Sequence, residues 1–264
     1  MSSVVADFLQ FMGLQTSAIE ARTGGAPIPR FIFGHSMGGE VALLAALEIT
    51  NPANVERLRS IQIQGLILSA PCLAIDPKLA TPTLKGAAKI LSGILPKLVL
   101  KGLPPDYLSR NKRTVFEYQR DPLNWLVGAR TRVGAEMLAG IDRALPQLPR
   151  FTLPLLLLHG TADAVVPLGA STLVYRRVGS EDKQFLRYPG GFHELAEDEE
   201  YGSSWIRDIT EWTLDHSAPP GSAIGYEAAI TPILPVTPQQ QLPSPDPAEV
   251  GNGVQFHVDE GEQV

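Results

Sequence analysis

Ser36, Asp163 and His193 are the residues of this 264-residue chain whose types and surroundings suit acyl transfer. A hydroxyl becomes a useful nucleophile when a base takes its proton, and an imidazole held by a carboxylate is such a base. Ser36 stands in "RFIFGHSMGGEVALLAALE", residues 30–48, with a glycine two positions away on either side. That pattern is the mark of a nucleophile elbow, a sharp strand-to-helix turn that holds the serine strained and exposed. Gly34 and Gly38 are expected to leave room that a Cβ would fill. The helix that follows would bring a positive dipole end and free N–H groups to where an oxyanion forms. The plainer reading is a Gly-rich turn with an idle serine, since a bare G-x-S-x-G arises by chance in roughly one chain in ten of this length. Placement favours the elbow: Phe31-Ile32-Phe33 precedes it, and Val41, Leu44, Ala45 and Leu47 follow at helical spacing.

Five histidines could supply the base. His35 lies within the turn and is expected to point elsewhere. His159 ends an apolar run and reads as packed or hydrogen-bonded. His216 and His257 fall at or beyond the last helix. His193, in "YPGGFHEL", sits in a Gly-rich loop directly after the last strand, where it can reach over a sheet edge. Asp163, in "LLLLHGTADAVVP", follows another strand and can orient that imidazole; its competing role is an Asx turn. Glu194 and Asp198 are weaker candidates, being so near His193 that they should face solvent.

The elements that must position these residues read as a doubly wound α/β sheet. Strands are expected at Arg30–Phe33, Gly65–Ser69, Leu153–Leu158 and Gln184–Tyr188. The first three are continuous apolar runs, as in strands covered on both faces. Helices are expected over Ser3–Met12, Gly39–Thr50, Ala170–Val178 and Ser203–His216. The order Ser36, Asp163, His193 then puts one residue after each of three strand ends, where ligands bind in open α/β sheets.

Residues 71–148 break the strand–helix rhythm and read as an inserted helical cap between core segments 1–70 and 149–216. Within Leu84–Lys101, Lys85, Lys89, Lys97 and Lys101 share one side of a helical wheel, and Leu84, Ala88, Leu91, Leu95 and Leu98 the other. Pro96 should kink or end that helix. Its apolar face either packs over the sheet or lines a lipid passage and rests on a membrane, lysines toward anionic head groups. Residues 217–264 are acidic, proline-rich and free of Lys and Arg, and read as disordered.

"GHSMGG", "LILSAP", "LLLLHGTADAVVP" and "YPGGFHEL" together resemble the monoacylglycerol lipase branch of the α/β-hydrolases, also labelled serine aminopeptidase-like or lysophospholipase-like. "RDPLNW" at 120–125 resembles a segment of that family's cap. The resemblance runs from about residue 3 to 214. It implies a partial α/β-hydrolase fold, a parallel sheet with an inserted helical cap. Ser36 would be the nucleophile, Asp163 the acid, His193 the base, and the Met37 N–H one oxyanion donor. The implied activity is hydrolysis of monoacylglycerol-type single-chain acyl esters through an acyl-enzyme, with no metal or organic cofactor. The alternatives are an esterase or lysophospholipase of the same fold, or a truncated, non-catalytic fragment. Family members usually begin with further strands and a His-Gly loop that gives a second oxyanion donor. No such motif occurs here, so the nucleophile strand is expected at a sheet edge and activity is expected to suffer, one donor being worth ~10²–10³ in kcat.

Composition narrows the classes. The formal net charge of −6 sits in residues 217–264, leaving the remainder near neutral, with no basic surface for nucleic acid. Cys72 is the single cysteine, which excludes an internal disulfide and a cysteine metal cluster; it reads as a small core residue. There is no apolar run long enough for a membrane span and no secretory leader pattern. The expected partner is a small acyl ester or lipid, and the expected location cytoplasmic, peripheral on membranes or lipid droplets if the cap engages lipid. A chain ending at Ser217 is expected to match the full chain in melting temperature and in hydrolysis of p-nitrophenyl butyrate; a loss of either shows that the acidic segment docks on the core.

Overall fold

Period-two alternation of apolar side chains, with helices on both sides to receive them, organises this chain. The computed structural model describes residues 1–217 apart from 25–27, 55, 57, 59, 62, 74–81 and 101, and the side chains of 82–85. The acidic segment after Ser217, and the side chains of Leu84, Lys85 and Lys101, lie outside the described residues. Strands β1 (Phe31–His35), β2 (Gly65–Ser69), β3 (Leu155–Gly160) and β4 (Lys183–Tyr188) form a parallel sheet in the order β1-β2-β3-β4. Phe31 pairs with Gly65, Leu66 with Leu155, and Leu155 with Lys183. The helices are α1 (Ser2–Thr23), α2 (Met37–Ile49), α3 (Pro82–Ile94), α4 (Lys112–Arg120), α5 (Thr131–Ala144), α6 (Leu168–Arg177) and α7 (Gly202–Asp215).

Ile32, Leu66, Leu68, Leu155 and Leu157 face one core, shared with Val5 and Leu9 of α1, Leu43 and Leu47 of α2, and Val174 of α6. Ile67, Leu156 and Leu158 face the other, against Tyr188, Tyr201 and Trp212 of α7. Both β2 and β3 are buried along their whole length, as their unbroken apolar runs require. Each fully buried leucine contributes about 1.5–3 kcal/mol relative to exposure.

Three expectations are corrected. Strand β1 is buried on one face and only partly covered on the other: Ile32 is buried, but Phe33 is 47% exposed, because among the described residues α7 reaches this edge strand only through Trp205 and Trp212. Helix α1 runs eleven residues past Met12, to Thr23, because Gly13 alone costs only ~1 kcal/mol in a helix. It stops at Gly24, whose φ of 63° is the left-handed cap that glycine adopts freely. Helix α3 does end before Pro96, at Ile94, but its apolar side does not pack on the sheet. Leu91, Leu95 and Leu98 are exposed, as are Ile90 and Ile94, at 65% and 70%. The segment instead packs on α5, where the Thr131 hydroxyl donates to the Leu95 carbonyl at 2.6 Å.

Between β2 and β3 the chain forms α3, α4 and α5, tied to the rest of the molecule by buried Ile141 and Ala144 of α5, by the Met1 ammonium on Glu136 at 2.8 Å, and by one charged fork. Arg110 makes a forked pair with Asp198, Nε to Oδ2 at 2.8 Å and a terminal nitrogen to Oδ1 at 2.7 Å. Asp198 also accepts from the Glu200 and Tyr201 N–H groups at the start of α7. Thus Asp198 is no spare partner for His193: it is buried and committed to Arg110.

Among the described residues Glu40 on α2 is a conspicuous misfit. It is fully buried, and neither carboxyl oxygen has a hydrogen-bond partner among the described residues. Burial pushes its carboxyl up to about 8, against the pull of the N-terminus and Arg143. The folded chain therefore holds a proton that the unfolded chain releases near pH 4.5, so stability falls as pH rises from there to about 8. At pH 7 this costs on the order of 3 kcal/mol. The near-isosteric Glu40→Met is expected to be more stable than the parent, with a gain that grows from pH 5 to pH 8. Urea melts across that range measure it; a gain independent of pH contradicts the assignment.

Candidate active site

Local geometry at Ser36 follows from the collision of a strand end with a helix start. Its φ of 53° and ψ of −124° lie where side chains other than glycine are rarely found. The turn is held by Ser36 N–H to the Ser69 carbonyl at 3.1 Å, and by Gly39 and Cys72 N–H groups to the Ser36 carbonyl at 3.0 and 2.9 Å. A Cβ on Gly34 would lie 2.5 Å from the Gly38 oxygen and 2.6 Å from Ala42 Cβ. The second indispensable glycine is Gly39, not Gly38. A Cβ on Gly39 would sit 2.7 Å from Pro71 Cβ, whereas one on Gly38 meets nothing within 4 Å. The first turn of α2 presents Gly38 to solvent and Gly39 to the end of β2. Met37, 46% exposed, opens α2, and its N–H has no acceptor among the described residues.

Asp163 and His193 come together as their sequence positions imply. Nδ1 of His193 lies 2.8 Å from Asp163 Oδ2, and both side chains are almost wholly buried. The loops that carry them are stitched by Thr161 N–H to the Tyr188 carbonyl and Ala162 N–H to the Gly191 carbonyl, each at 2.9 Å. The Asx turn weighed against a site role for Asp163 is also present. Oδ1 accepts from Val165 and Val166 N–H at 2.8 and 2.9 Å, leaving Oδ2 for the histidines. The two roles use different oxygens.

His159 is packed, as its place at a strand end implies, yet it also touches the site. Its Nε2 lies 3.1 Å from the Val166 carbonyl, which only accepts, so Nε2 carries a proton. The same nitrogen is 3.3 Å from Asp163 Oδ2, and Nδ1 bonds the Ser171 hydroxyl of α6 at 2.8 Å. Burial opposes ionisation of Asp163. The bonds from His159 and His193 outweigh it and hold the carboxyl well below the usual carboxylate range. Burial pushes the Cys72 thiol up to about 12, with Glu40 and Asp163 adding to it, so Cys72 is not a reactive thiolate.

Sequence reasoning placed three side chains wrongly: Asp198, expected to face solvent, is buried on Arg110, and His35 and Glu194 meet each other. His35 does not point away: its ring lies 4.7 Å from that of His193. Its Nε2 is 3.3 Å from Oε1 of Glu194, which is therefore not simply solvated. Burial is the largest single influence on the Glu194 carboxylate and opposes its charge, but the bond from His35 and the charges of His35 and His193 together lower its pKa. Strand alternation carried the signal, since His35 shares a face with Phe31 and Phe33, whose partners are on α7. The Ser36 hydroxyl and His193 make no hydrogen bond here; in a site without substrate such contacts are commonly long and tighten on binding.

A parallel sheet flanked by helices, with a strained serine and an Asp–His pair at the carboxyl ends of its strands, defines the class of α/β-hydrolases. The family model described as serine aminopeptidase, S33, matches residues 1–200, and the chain belongs to that family. It is 32% identical to the monoglyceride lipase of Homo sapiens over 222 residues, 83% of this chain and 70% of that one. It is also 32% identical to phospholipase YtpA of Bacillus subtilis, over 69% of this chain and 66% of that one. The crystal structure of Paleococcus ferrophilus monoacylglycerol lipase superposes with a TM-score of 0.64 at 31% identity, covering 81% of this chain and 76% of that one.

The elbow geometry separates the three glycines around Ser36 experimentally. Gly34→Ala and Gly39→Ala are each expected to lower stability by about 1–3 kcal/mol through overpacking. Gly38→Ala is expected to be neutral or to stabilise by up to ~1 kcal/mol, through better helix propensity. Denaturant midpoints for the three variants decide the matter; a Gly38→Ala loss as large as the others contradicts the arrangement.

Proposed function

We propose that this chain is a serine ester hydrolase that cleaves monoacylglycerol-type, single-chain acyl esters, with Ser36, His193 and Asp163 as its triad. The observation that carries the reading is the 2.8 Å Asp163–His193 bond beside a serine held at φ 53°, all at one edge of a parallel sheet. In this mechanism Ser36 Oγ attacks the ester carbonyl while His193 Nε2 takes its proton. The negative charge that develops on the carbonyl oxygen faces the free Met37 N–H at the start of α2. His193 then gives the proton to the leaving glycerol oxygen, and water clears the acyl-enzyme by the same steps in reverse. Asp163, held by four donors, stays ionised throughout and stabilises the imidazolium.

The substrate class rests on the named relatives and on the surface between β2 and β3. We read residues 71–148 as a cap over a core made of 1–70 and 149–216. Its exposed Ile90, Leu91, Ile94 and Leu95 give an acyl chain or a lipid surface something to meet. Among the described residues no helix is long and apolar enough to cross a membrane. The likeness to a bacterial phospholipase keeps a lysophospholipid as the second substrate reading, with the same three residues.

A fluorophosphonate probe, together with assays on a monoacylglycerol and a lysophospholipid, tests both the site and the substrate. Ser36→Ala is expected to abolish labelling and turnover while leaving the circular dichroism spectrum unchanged. Asp163→Asn is expected to lower kcat by about 10⁴, the scale of losing the orienting carboxylate in a serine triad. Labelling that survives Ser36→Ala disproves the assignment. A folded chain that neither labels nor turns over establishes the non-catalytic reading instead.

A further inference from the structure

Sharing His193 with the proposed triad is a cluster whose other two members, His35 and Glu194, the reaction does not use. His35, His193 and Glu194 each offer one donor atom, and the three atoms lie within 4.8 Å of one another. We infer that His35, His193 and Glu194 form an inhibitory site for Zn²⁺ or a similar borderline divalent ion, which captures the imidazole that would otherwise act as base. The inference rests on the reading of His193 as that base, but the site itself does not.

Three features of the cluster suit the ion. Two imidazoles and one carboxylate are a common tetrahedral zinc set, with water as the fourth ligand. Tetrahedral ligands at zinc distances lie ~3.3 Å apart. The pair His35 Nε2 and Glu194 Oε1 already stands at 3.3 Å, so only the His193 donor must close in. The outer partner of His193 is also in place. Nδ1 is bonded to Asp163 Oδ2 at 2.8 Å, which leaves Nε2 for the metal and makes the carboxylate–histidine–zinc relay that fixes ring orientation and raises ligand basicity.

Charge and rigidity agree with this. Glu194 and Asp163 bring two negative charges around the position, balancing a divalent cation. Glu194 is anchored through its backbone, its N–H donating to the Leu108 carbonyl at 2.9 Å, and His35 terminates β1. His35 and Glu194 are partly exposed, at 26% and 35%, so an ion can enter from solvent without unfolding the loop. The donor set selects against hard ions: Mg²⁺ and Ca²⁺ prefer all-oxygen ligands. A bound ion occupies the Nε2 lone pair, so His193 cannot accept a proton from Ser36, and the inhibition is reversed by a chelator.

Isothermal titration of the full chain with Zn²⁺ reads binding directly, and p-nitrophenyl butyrate hydrolysis reads its consequence. Zn²⁺ is expected to bind and inhibit in parallel, EDTA to restore activity, and Mg²⁺ to do neither. Loss of an outer-shell partner alone typically weakens metal binding about 10–100-fold. Losing a ligand should cost at least ~10-fold, so His35→Ala and Glu194→Gln are each expected to raise both the dissociation constant and the inhibitory concentration by that factor. His35→Phe keeps a ring at the strand end and covers the case in which alanine unsettles it. His193→Ala is expected to weaken binding at least as much in the calorimeter, where no activity is needed. Binding or inhibition that persists undiminished in the His35 and Glu194 variants overturns the site. Zinc binding by a chain that hydrolyses no ester would overturn the proposed function and leave this site standing. Hydrolysis unaffected by zinc would do the reverse.

Discussion

A single buried carboxylate organises the carboxyl edge of this sheet. Asp163 receives two backbone N–H groups on Oδ1 and two imidazoles on Oδ2, so nearly every lone-pair direction of the anion is used. An uncompensated charge at this depth would cost several kcal/mol; with four donors it becomes a point of attachment. From it the loop after β3 takes its shape, His193 takes its orientation, and His159 is held against Ser171 of α6. Removing the carboxylate would do more than disconnect one histidine. It would orphan the Val165 and Val166 amides and release two rings from a buried pocket, each unmet group adding about 1–3 kcal/mol.

The elbow is the complementary constraint, and it stores strain where Asp163 removes freedom. Ser36 is not alone in its unusual backbone. Ala70, one residue past the adjacent strand β2, has φ of 42°. The two strained residues are coupled: Ser36 N–H bonds the carbonyl of Ser69, and the Cys72 N–H returns to the carbonyl of Ser36. Residues in such regions cost of order 1–3 kcal/mol each and persist when the surroundings over-determine them. Here the surroundings are the close approaches of Gly34 to Ala42 and of Gly39 to Pro71. Packing between α2 and two strand ends therefore holds the serine hydroxyl outward, and no bond made by the serine side chain is needed.

What the sequence made legible follows the range of the interactions concerned. Strands β2 and β3 were readable because burial on both faces leaves an unbroken apolar run. Asp163 and His193 were readable because each follows a strand end, and parallel strands bring such ends to one edge. The misreadings needed information about neighbours. Helix α1 outran its expected end because no local signal before Gly24 is strong enough to stop it. Gly38 and Gly39 are indistinguishable by type, and only the position of Pro71 shows which one is crowded. His35 and Glu194 are 159 residues apart, and their juxtaposition depends on which way two side chains turn over the sheet. Glu40 is the sharpest case: its place in a helix is plain, but nothing in "GGEVALL" announces a carboxylate buried without a partner.

The way the inserted segment is attached has a mechanical consequence. Its firm ties lie beside His193, with Leu108 accepting from the Glu194 N–H and Arg110 clasping Asp198 five residues beyond the histidine, and along α5, where Ile141 and Ala144 are buried and Glu136 holds the Met1 ammonium. Its α3 end is different: Ile90, Ile94 and Leu95 are turned to solvent, and the contacts of that helix run to α5 rather than to the sheet. A segment fastened beside His193 and along α5 but loosely covered at α3 moves most easily at α3. Displacement of α3 then leaves the loop that orients the imidazole undisturbed. Charged, forked bonds suit the fixed end because their geometry is directional. Apolar contact suits the free end because it can be traded for contact with an acyl chain or a lipid surface at little cost. The same division keeps His193 and Asp163 in register while α3 shifts.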